Sequence, residues 1–488
     1  MAMIDRYKTP RRSPSPTRLP QKPRTTIVLA LLTTALILLF LSFSPFRTNP
    51  TPGPLFSVII DAGSSGSRIH VFAFSQQEGS LPLLDLNRTA VLRTSPGLSS
   101  FVDEPVKAGD SLEELLWFAK QNVGQDSVGS TEIRLMATAG LRLVDGDVRE
   151  KVLESCRGVL RESGFKFEDD WASVIPGYDE GLYAWTAANY ALGKLGGDLQ
   201  KTIGIIELGG ASAQLTFVSD EVLPTEYMHI LKLGKTTYNL YSNSFLHFGQ
   251  NSAEQSLHEL LKSGSIKSTG DPCMPKGYSY EKEMLEIKGT GNFTECQSVS
   301  FDLLRNGKEN CTFQECRIGS AFVPDLQGHF LATENFFFTS KFFKLDRKSP
   351  LSHISSAGEK FCGEDWVTLK ERYSSTDEEE LSRYCFSSAY IVAFLHDSLG
   401  IPMDATRIEF ANEVGDIQAE WALGAFIVQR MASISKNSAS IFKSTLAPVF
   451  LILSLSLFIY LSVAKYRRPQ TKTIYDLEKG RYIVTRVA

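Results

Sequence analysis

Two stretches of the chain share one pattern, and together they restrict the fold more than any other feature. Phe56 to Phe74 reads FSVIIDAGSSGSRIHVFAF, and Thr202 to Val218 reads TIGIIELGGASAQLTFV. Each is an apolar run, one acid, a small-residue turn and a second run rich in β-branched and aromatic residues. Phe56 to Ile60 is expected as a strand, Ala62 to Ser67 as a tight turn and Arg68 to Phe74 as the returning strand. A strand returning on itself is a hairpin, which excludes the strand–loop–helix of a Walker or Rossmann site. Gly63 and Gly66 carry no Cβ that would keep backbone N–H groups from a ligand. Ser64, Ser65 and Ser67 add hydroxyl donors, and successive N–H groups in such a turn form an anion-binding concavity. Asp61, at the end of the strand, suits a hydrated metal ion beside that anion. Alone, the segment could be a solvated hairpin turn, although Asn-Gly or Asp-Gly is the commoner choice there. The second copy, with Glu207 and the turn Leu208-Gly209-Gly210-Ala211-Ser212, points to two similar lobes facing one polyphosphate.

A chain of 488 residues exceeds one ordinary domain, which agrees with two lobes. Its net charge of −4 excludes a strongly basic nucleic-acid surface. Residues 1–24 are rich in Pro, Ser, Thr, Arg and Lys and bury too little apolar surface to fold. Ile27 to Phe43 is an uncharged, mostly apolar run of spanning length. Its long basic leader argues for a signal anchor over a cleaved signal peptide. Seven Lys or Arg residues precede it and Arg47 alone follows closely, so the amino terminus is expected in the cytosol. Leu446 to Ala464 is a second apolar run, followed at once by Lys465, Arg467 and Arg468, which gives a cytosolic carboxyl tail. That basic tail argues against a GPI-attachment signal. Everything between the runs is then lumenal or extracellular. Two spans allow copies to associate into a homo-oligomer, although neither carries a GxxxG seam.

Six of the seven cysteines fall between Cys273 and Cys385, without zinc-ligand spacing, and read as disulfides of an oxidising compartment. The expected pairing is nested: Cys273–Cys316, Cys296–Cys311 and a separate Cys362–Cys385. Cys156 is expected as a free core thiol. The sequons at Asn87, Asn292 and Asn310 lie on the same proposed side, as in a glycoprotein.

Glu132 to Ala139 reads as a strand ending in Thr138-Ala139-Gly140, and Ala172 to Pro176 as a short extended segment. A helix is expected from Tyr178 to about Leu192, capped by Asp179, with Glu180 in its first turn, where the helix dipole favours a carboxylate. Such a Glu is most often only a helix-start residue, yet strand-to-helix junctions in α/β lobes are where side chains enter a cleft. Further helices are expected around Tyr238 to Phe248, over Leu381 to Leu399 and over Trp421 to Met431, where Gly424 implies a close approach. Residues 263–320 read as an irregular, disulfide-stapled insertion. The phenylalanines between Phe322 and Phe343 read mostly as core.

The blocks VIIDAGSSGSRIHVF, LMATAGLRL, GYDEGLYAWTAANYALG, IIELGGASAQLTF and WALGAF, in this order, resemble the five signature regions of the apyrase (ecto-nucleoside triphosphate diphosphohydrolase) family. The resemblance covers nearly the whole segment between the apolar runs. It implies the actin and sugar-kinase superfamily: an α/β fold of two ribonuclease-H-like lobes with an interlobe cleft, flanked here by a transmembrane helix at each end. It further implies hydrolysis of nucleoside tri- or diphosphates with Ca²⁺ or Mg²⁺. Glu180 falls at the family's catalytic base, and Ser212 and Gln214 at the positions that hold the attacking water. Asp61 and Glu207 would hold the metal's water shell. Ser64, Ser65, Gly66, Ser67 and Arg68, with Gly209, Gly210, Ala211 and Ser212, would wrap the phosphates. Thr138 and Arg142 match the second block, where Arg142 either meets phosphate or braces the cleft. Trp421 is read as packing.

The expected organisation is a cytosolic tail (1–24), a signal anchor (25–44), a linker (45–54), a first lobe (55–195, rejoined by 418–436), a second lobe (196–417), a second span (444–464) and a tail (465–488). One departure stands out: the fourth block usually begins with Asp, and here it is Glu207. Its extra methylene moves the carboxylate by about one C–C bond, which alters metal-water geometry and so Ca²⁺/Mg²⁺ or di-/triphosphate preference. A catalytically silent nucleotide-binding membrane protein is one alternative, and a superfamily phosphotransferase such as a sugar kinase another. The presence of Glu180, Ser212 and Gln214 opposes the first, and the paired anchors with a disulfide-type cysteine cluster oppose the second.

Overall fold

The computed structural model describes residues 54–434 apart from 78, 264–269, 283–284 and 314–315, together with 454, 457–458, 461 and 471–486. The first apolar run and nearly all of the second lie outside these residues. Among the described residues no helix is long and apolar enough to cross a membrane.

Both repeated segments are hairpins, as expected. Leu55–Ala62 pairs antiparallel with Ser67–Ser75, and Gly204–Leu208 with Ser212–Val218. Each hairpin seeds a six-stranded sheet, and the two sheets are built alike. Beside Leu55–Ala62 run the parallel strands Glu132–Ala137 and then Ala172–Val174. Beside Gly204–Leu208 run the parallel strands Phe330–Glu334 and then Ile408–Phe410. On the other flank, Ala90–Thr94 pairs antiparallel with Ser67–Ser75, as Thr236–Leu246 does with Ser212–Val218. Strands covered on both faces read as continuous apolar runs. Val58, Ile59 and Ile60, like Ile205 and Ile206, are fully buried.

Two helices tie the sheets together. Gly177–Ala191 lies on the second sheet so closely that a Cβ at Gly181 would stand 2.4 Å from Thr216 Oγ1. The expected boundary at 195 follows this helix, whose packing face nevertheless lies on the second sheet. The helix over 421–434 lies on the first sheet, with Phe426 stacked on Phe72 at 5.1 Å and set edge-on to Phe74 at 4.9 Å. The two helices cross at Gly424, where a Cβ would fall 1.8 Å from the Tyr183 carbonyl oxygen. Their crossing forms an apolar cluster that joins Ile59 and Phe72 of one sheet to Ile205 and Leu240 of the other.

Several expectations are corrected. Thr236–Leu246 is a strand, not a helix: it returns from Met228–Leu233 through Gly234, whose φ of +60° favours glycine. Asp179 does not cap its helix, which begins at Gly177 after Pro176 without a side-chain cap. The span 263–320 is not irregular throughout. It contains the helix Phe293–Leu304, whose N-cap Asn292 accepts from the Glu295 N–H, and which buries Phe293, Cys296, Leu303 and Leu304. The bridges are Cys273–Cys296, Cys311–Cys316 and Cys362–Cys385, so the nested pairing is wrong and only the third bridge stands. Cys156 is free and buried, as expected. Asn87, Asn292 and Asn310 are exposed.

Candidate active site

The turns of the two hairpins face each other across one cleft. A Cβ at Gly210 of the second turn would stand 3.0 Å from Ser64 Oγ of the first. Asp61, Gly63, Ser64, Ser65, Gly66, Arg68 and Thr138 line one wall. Glu207, Gly209, Gly210, Ala211 and Ser212 line the other, with Glu180 and Trp421 between them. Side chains from strands nearly 150 positions apart therefore meet because each hairpin ends at the same gap. Gly249 must be glycine here, since a Cβ would lie 2.3 Å from the Ser212 nitrogen and push the second turn out of place.

Glu180 is set in the first turn of the helix Gly177–Ala191 and is 7 % exposed. Arg142 Nη2 donates to Glu180 Oε2, and Arg142 Nη1 donates to Ser244 Oγ at 3.3 Å. Gln214 Nε2 donates to Ser212 Oγ at 2.7 Å and to Glu180 Oε2 at 3.2 Å. Glu180, Ser212 and Gln214 thus form one connected group. Burial pushes the Glu180 carboxyl above its ordinary range, and the Arg142 guanidinium opposes that rise. Arg142 and Gln214 stand behind the cleft wall rather than on it, and reach it through Glu180. Ser67 is buried and is not among the residues that line the cleft, and its hydroxyl finds no hydrogen-bond partner among the described residues. Trp421 is 5 % exposed and stacks with Tyr183, the packing role expected of it.

Asp61 and Glu207 end the leading strands of the two hairpins and are equally buried, each 8 % exposed. Asp61 Oδ1 and Glu207 Oε2 have no hydrogen-bond partner among the described residues. Burial raises both carboxyls well above the ordinary range. Arg68 opposes this for each, while Glu180 and Glu334 add to it for both. Two orphaned buried carboxylate oxygens facing one gap fit a hydrated divalent cation. Among the described residues no three His, Cys, Asp or Glu side chains converge closely enough to ligate an ion directly.

Three cleft residues escape a reading of the sequence. Glu334 and Glu420 approach Arg68 Nη1 at 3.4 and 3.6 Å. Glu334 takes φ +57°, rare for any residue but glycine, and its N–H donates to Asn412 Oδ1 at 2.7 Å. Backbone strain of this kind persists where the surroundings enforce it, often at functional sites. Arg93 donates from Nη2 to Ser65 Oγ at 2.9 Å. Glu420 directly precedes the WALGAF block. The other two depend on folding partners far away in sequence.

The chain is similar to several known proteins. Residues 53–443 match the GDA1/CD39 (nucleoside phosphatase) family. The chain is 48% identical to probable apyrase 6 of Arabidopsis thaliana, over 94% of this chain and 90% of that one. It is 33% identical to the nucleoside-triphosphatase of Pisum sativum, over 76% and 86% of the two. The crystal structure of nucleoside triphosphate hydrolases from Neospora caninum superposes with a TM-score of 0.60 at 16% identity. That match covers 84% of this chain and 97% of the other, and is a likeness of fold.

Proposed function

The chain belongs to the GDA1/CD39 (nucleoside phosphatase) family and hydrolyses nucleotide phosphate, and we propose that Glu180 readies the attacking water. The observation that carries this is the hydrogen-bonded group of Glu180, Gln214 and Ser212 beside two turns of backbone donors. In-line hydrolysis needs a water aimed at the terminal phosphorus and donors for the equatorial oxygens. Glu180 accepts the water's proton as the new P–O bond forms. Ser212, which lines the cleft, holds the water's other side, and Gln214 positions the pair by donating to both Ser212 Oγ and Glu180 Oε2. The backbone N–H groups around Ser64 to Gly66 and Gly209 to Ala211 receive the phosphate oxygens. Arg142 orients Glu180 and opposes the rise that burial imposes on its carboxyl. A divalent cation, Ca²⁺ or Mg²⁺, held through water by Asp61 and Glu207, would neutralise phosphate charge.

The substrates are nucleoside tri- and diphosphates met in the lumen or outside the cell, on a body anchored by apolar runs at both ends. The three disulfides and the exposed sequons support that side of the membrane. Phosphate release from ATP, ADP, GDP and UDP tests the reading: activity is expected with added cation and lost in EDTA. Binding without release would favour a silent nucleotide receptor. Phosphate transferred only to a sugar acceptor would favour a kinase.

A further inference from the structure

The strand Ala90–Thr94 pairs with Ser67–Ser75 in a register that sets Arg93 opposite Arg68. Like charges facing each other across neighbouring strands destabilise a sheet. Among the described residues only one of these two is neutralised. Arg68 is held between Glu334 and Glu420. Arg142, behind the wall, is paired with Glu180. Arg93 lines the cleft, is exposed and forms no ion pair among the described residues. Its side chain is not adrift, because the bond to Ser65 Oγ holds the guanidinium against the first turn. Gly66 makes room for that approach: a Cβ there would lie 3.3 Å from Arg93 Nε and 2.5 Å from the Thr94 carbonyl oxygen. The cleft therefore presents one uncompensated cation, fixed beside backbone donors that already suit an anion.

Resting on the proposed hydrolysis, we infer that Arg93 is a substrate-binding residue that meets phosphate oxygens beside the Ser65–Gly66 turn and favours triphosphate over diphosphate. A planar guanidinium matches phosphate geometry, and its bonds to anionic oxygens exceed neutral ones. A chain with one more phosphate carries more charge into a cleft already crowded with carboxylates. It therefore gains more from a cation that no carboxylate shares.

The test compares ATP and ADP kinetics of wild type, Arg93→Ala and Arg93→Lys at one salt concentration. Arg93→Ala is expected to lower kcat/KM for ATP by roughly tenfold, mostly through KM, the scale of one charge-assisted contact. The loss for ADP is expected to be clearly smaller, and Arg93→Lys to recover only part of the ATP loss, the part due to charge. Raising salt should narrow the difference between wild type and Arg93→Ala, because the site is exposed. Equal losses for both nucleotides, or no loss for either, would overturn the assignment. Kd values for the two nucleotides on a Glu180→Gln background read the same preference without turnover. A wild type that binds both but hydrolyses neither would sink the proposed function and leave the role of Arg93 decided by that ratio. Melting temperatures matching wild type would show that an exposed side chain was removed without unfolding the sheet.

Discussion

At the residue scale, Glu180 works against its surroundings. Burial favours the neutral acid, while Arg142 favours the carboxylate, and the balance leaves the group above its ordinary range. A general base acts only when ionised, so kcat/KM should rise with pH through that elevated value. Removing the guanidinium in Arg142→Met should move the acid limb of the profile to still higher pH and lower the plateau. An unmoved limb would show that Arg142 does not set the charge of the base. Glu207 carries a second prediction, since its carboxylate reaches farther than an aspartate would. Glu207→Asp should shift the ratio of rates with Ca²⁺ and Mg²⁺, and an unchanged ratio would remove the longer side chain from metal selection. Most of the site could be read from the chain because Asp61, Glu180, Glu207, Ser212 and Gln214 lie inside locally recognisable blocks. Glu334 could not: it hides among phenylalanines, and no local pattern announces its positive φ or its bond to Asn412. Arg93 likewise becomes meaningful only once the strand register sets it opposite Arg68.

At the scale of elements, the site depends on two helices that touch at a glycine. Glu180 lies in the first turn of one of them, so any force that parts the helices also moves the proposed base. Gly424→Leu would place a Cβ where the Tyr183 carbonyl oxygen stands. A cost of roughly 1–3 kcal/mol or more is expected from such overpacking, read as a lower denaturation midpoint together with reduced kcat. A variant of wild-type stability and rate would mean the helices have slack. The helix Glu378–Val392 is tied to Leu351–Gly363 by Cys362–Cys385. Cys385→Ala should cost roughly 2–5 kcal/mol of stability, typical for loss of a native bridge. Non-reducing peptide mapping should return Cys273–Cys296 and Cys311–Cys316, whereas the nested partners would contradict the fold of this region. Hairpins were legible because an apolar run, a small turn and a second apolar run leave little else to form. The strand Thr236–Leu246 was not, since Tyr238, Tyr241 and Phe245 also satisfy the spacing of a helix face. Tertiary pairing with Ser212–Val218 decided the matter. The helix Phe293–Leu304 was obscured by the cysteines and glycines around it, although its Asn292 cap and apolar spacing were present.

For the whole molecule, two sheets of like construction bring five carboxylates to one gap: Asp61, Glu180, Glu207, Glu334 and Glu420 all line it. Mutual repulsion among them is a standing cost of the folded state, and a ligand that binds only the folded form stabilises by mass action. Ca²⁺ or Mg²⁺ should therefore raise the melting temperature of the protein, and less so for Asp61→Asn. Absence of any shift would argue that no cation is held there. The doubled plan of the molecule was visible in the chain because both turns carry the same acid-x-Gly signature. The exchange of helices between the sheets was not, since packing faces are chosen between partners that are distant in sequence. The measurement that bears most directly on the account is kcat for Glu180→Gln beside wild type, at saturating nucleotide and cation. The substitution keeps size and polarity but cannot take a proton, so kcat should fall by about 10²–10⁴-fold, the usual contribution of a positioned general base, with binding and melting temperature retained. A variant that turned over at the wild-type rate would contradict it.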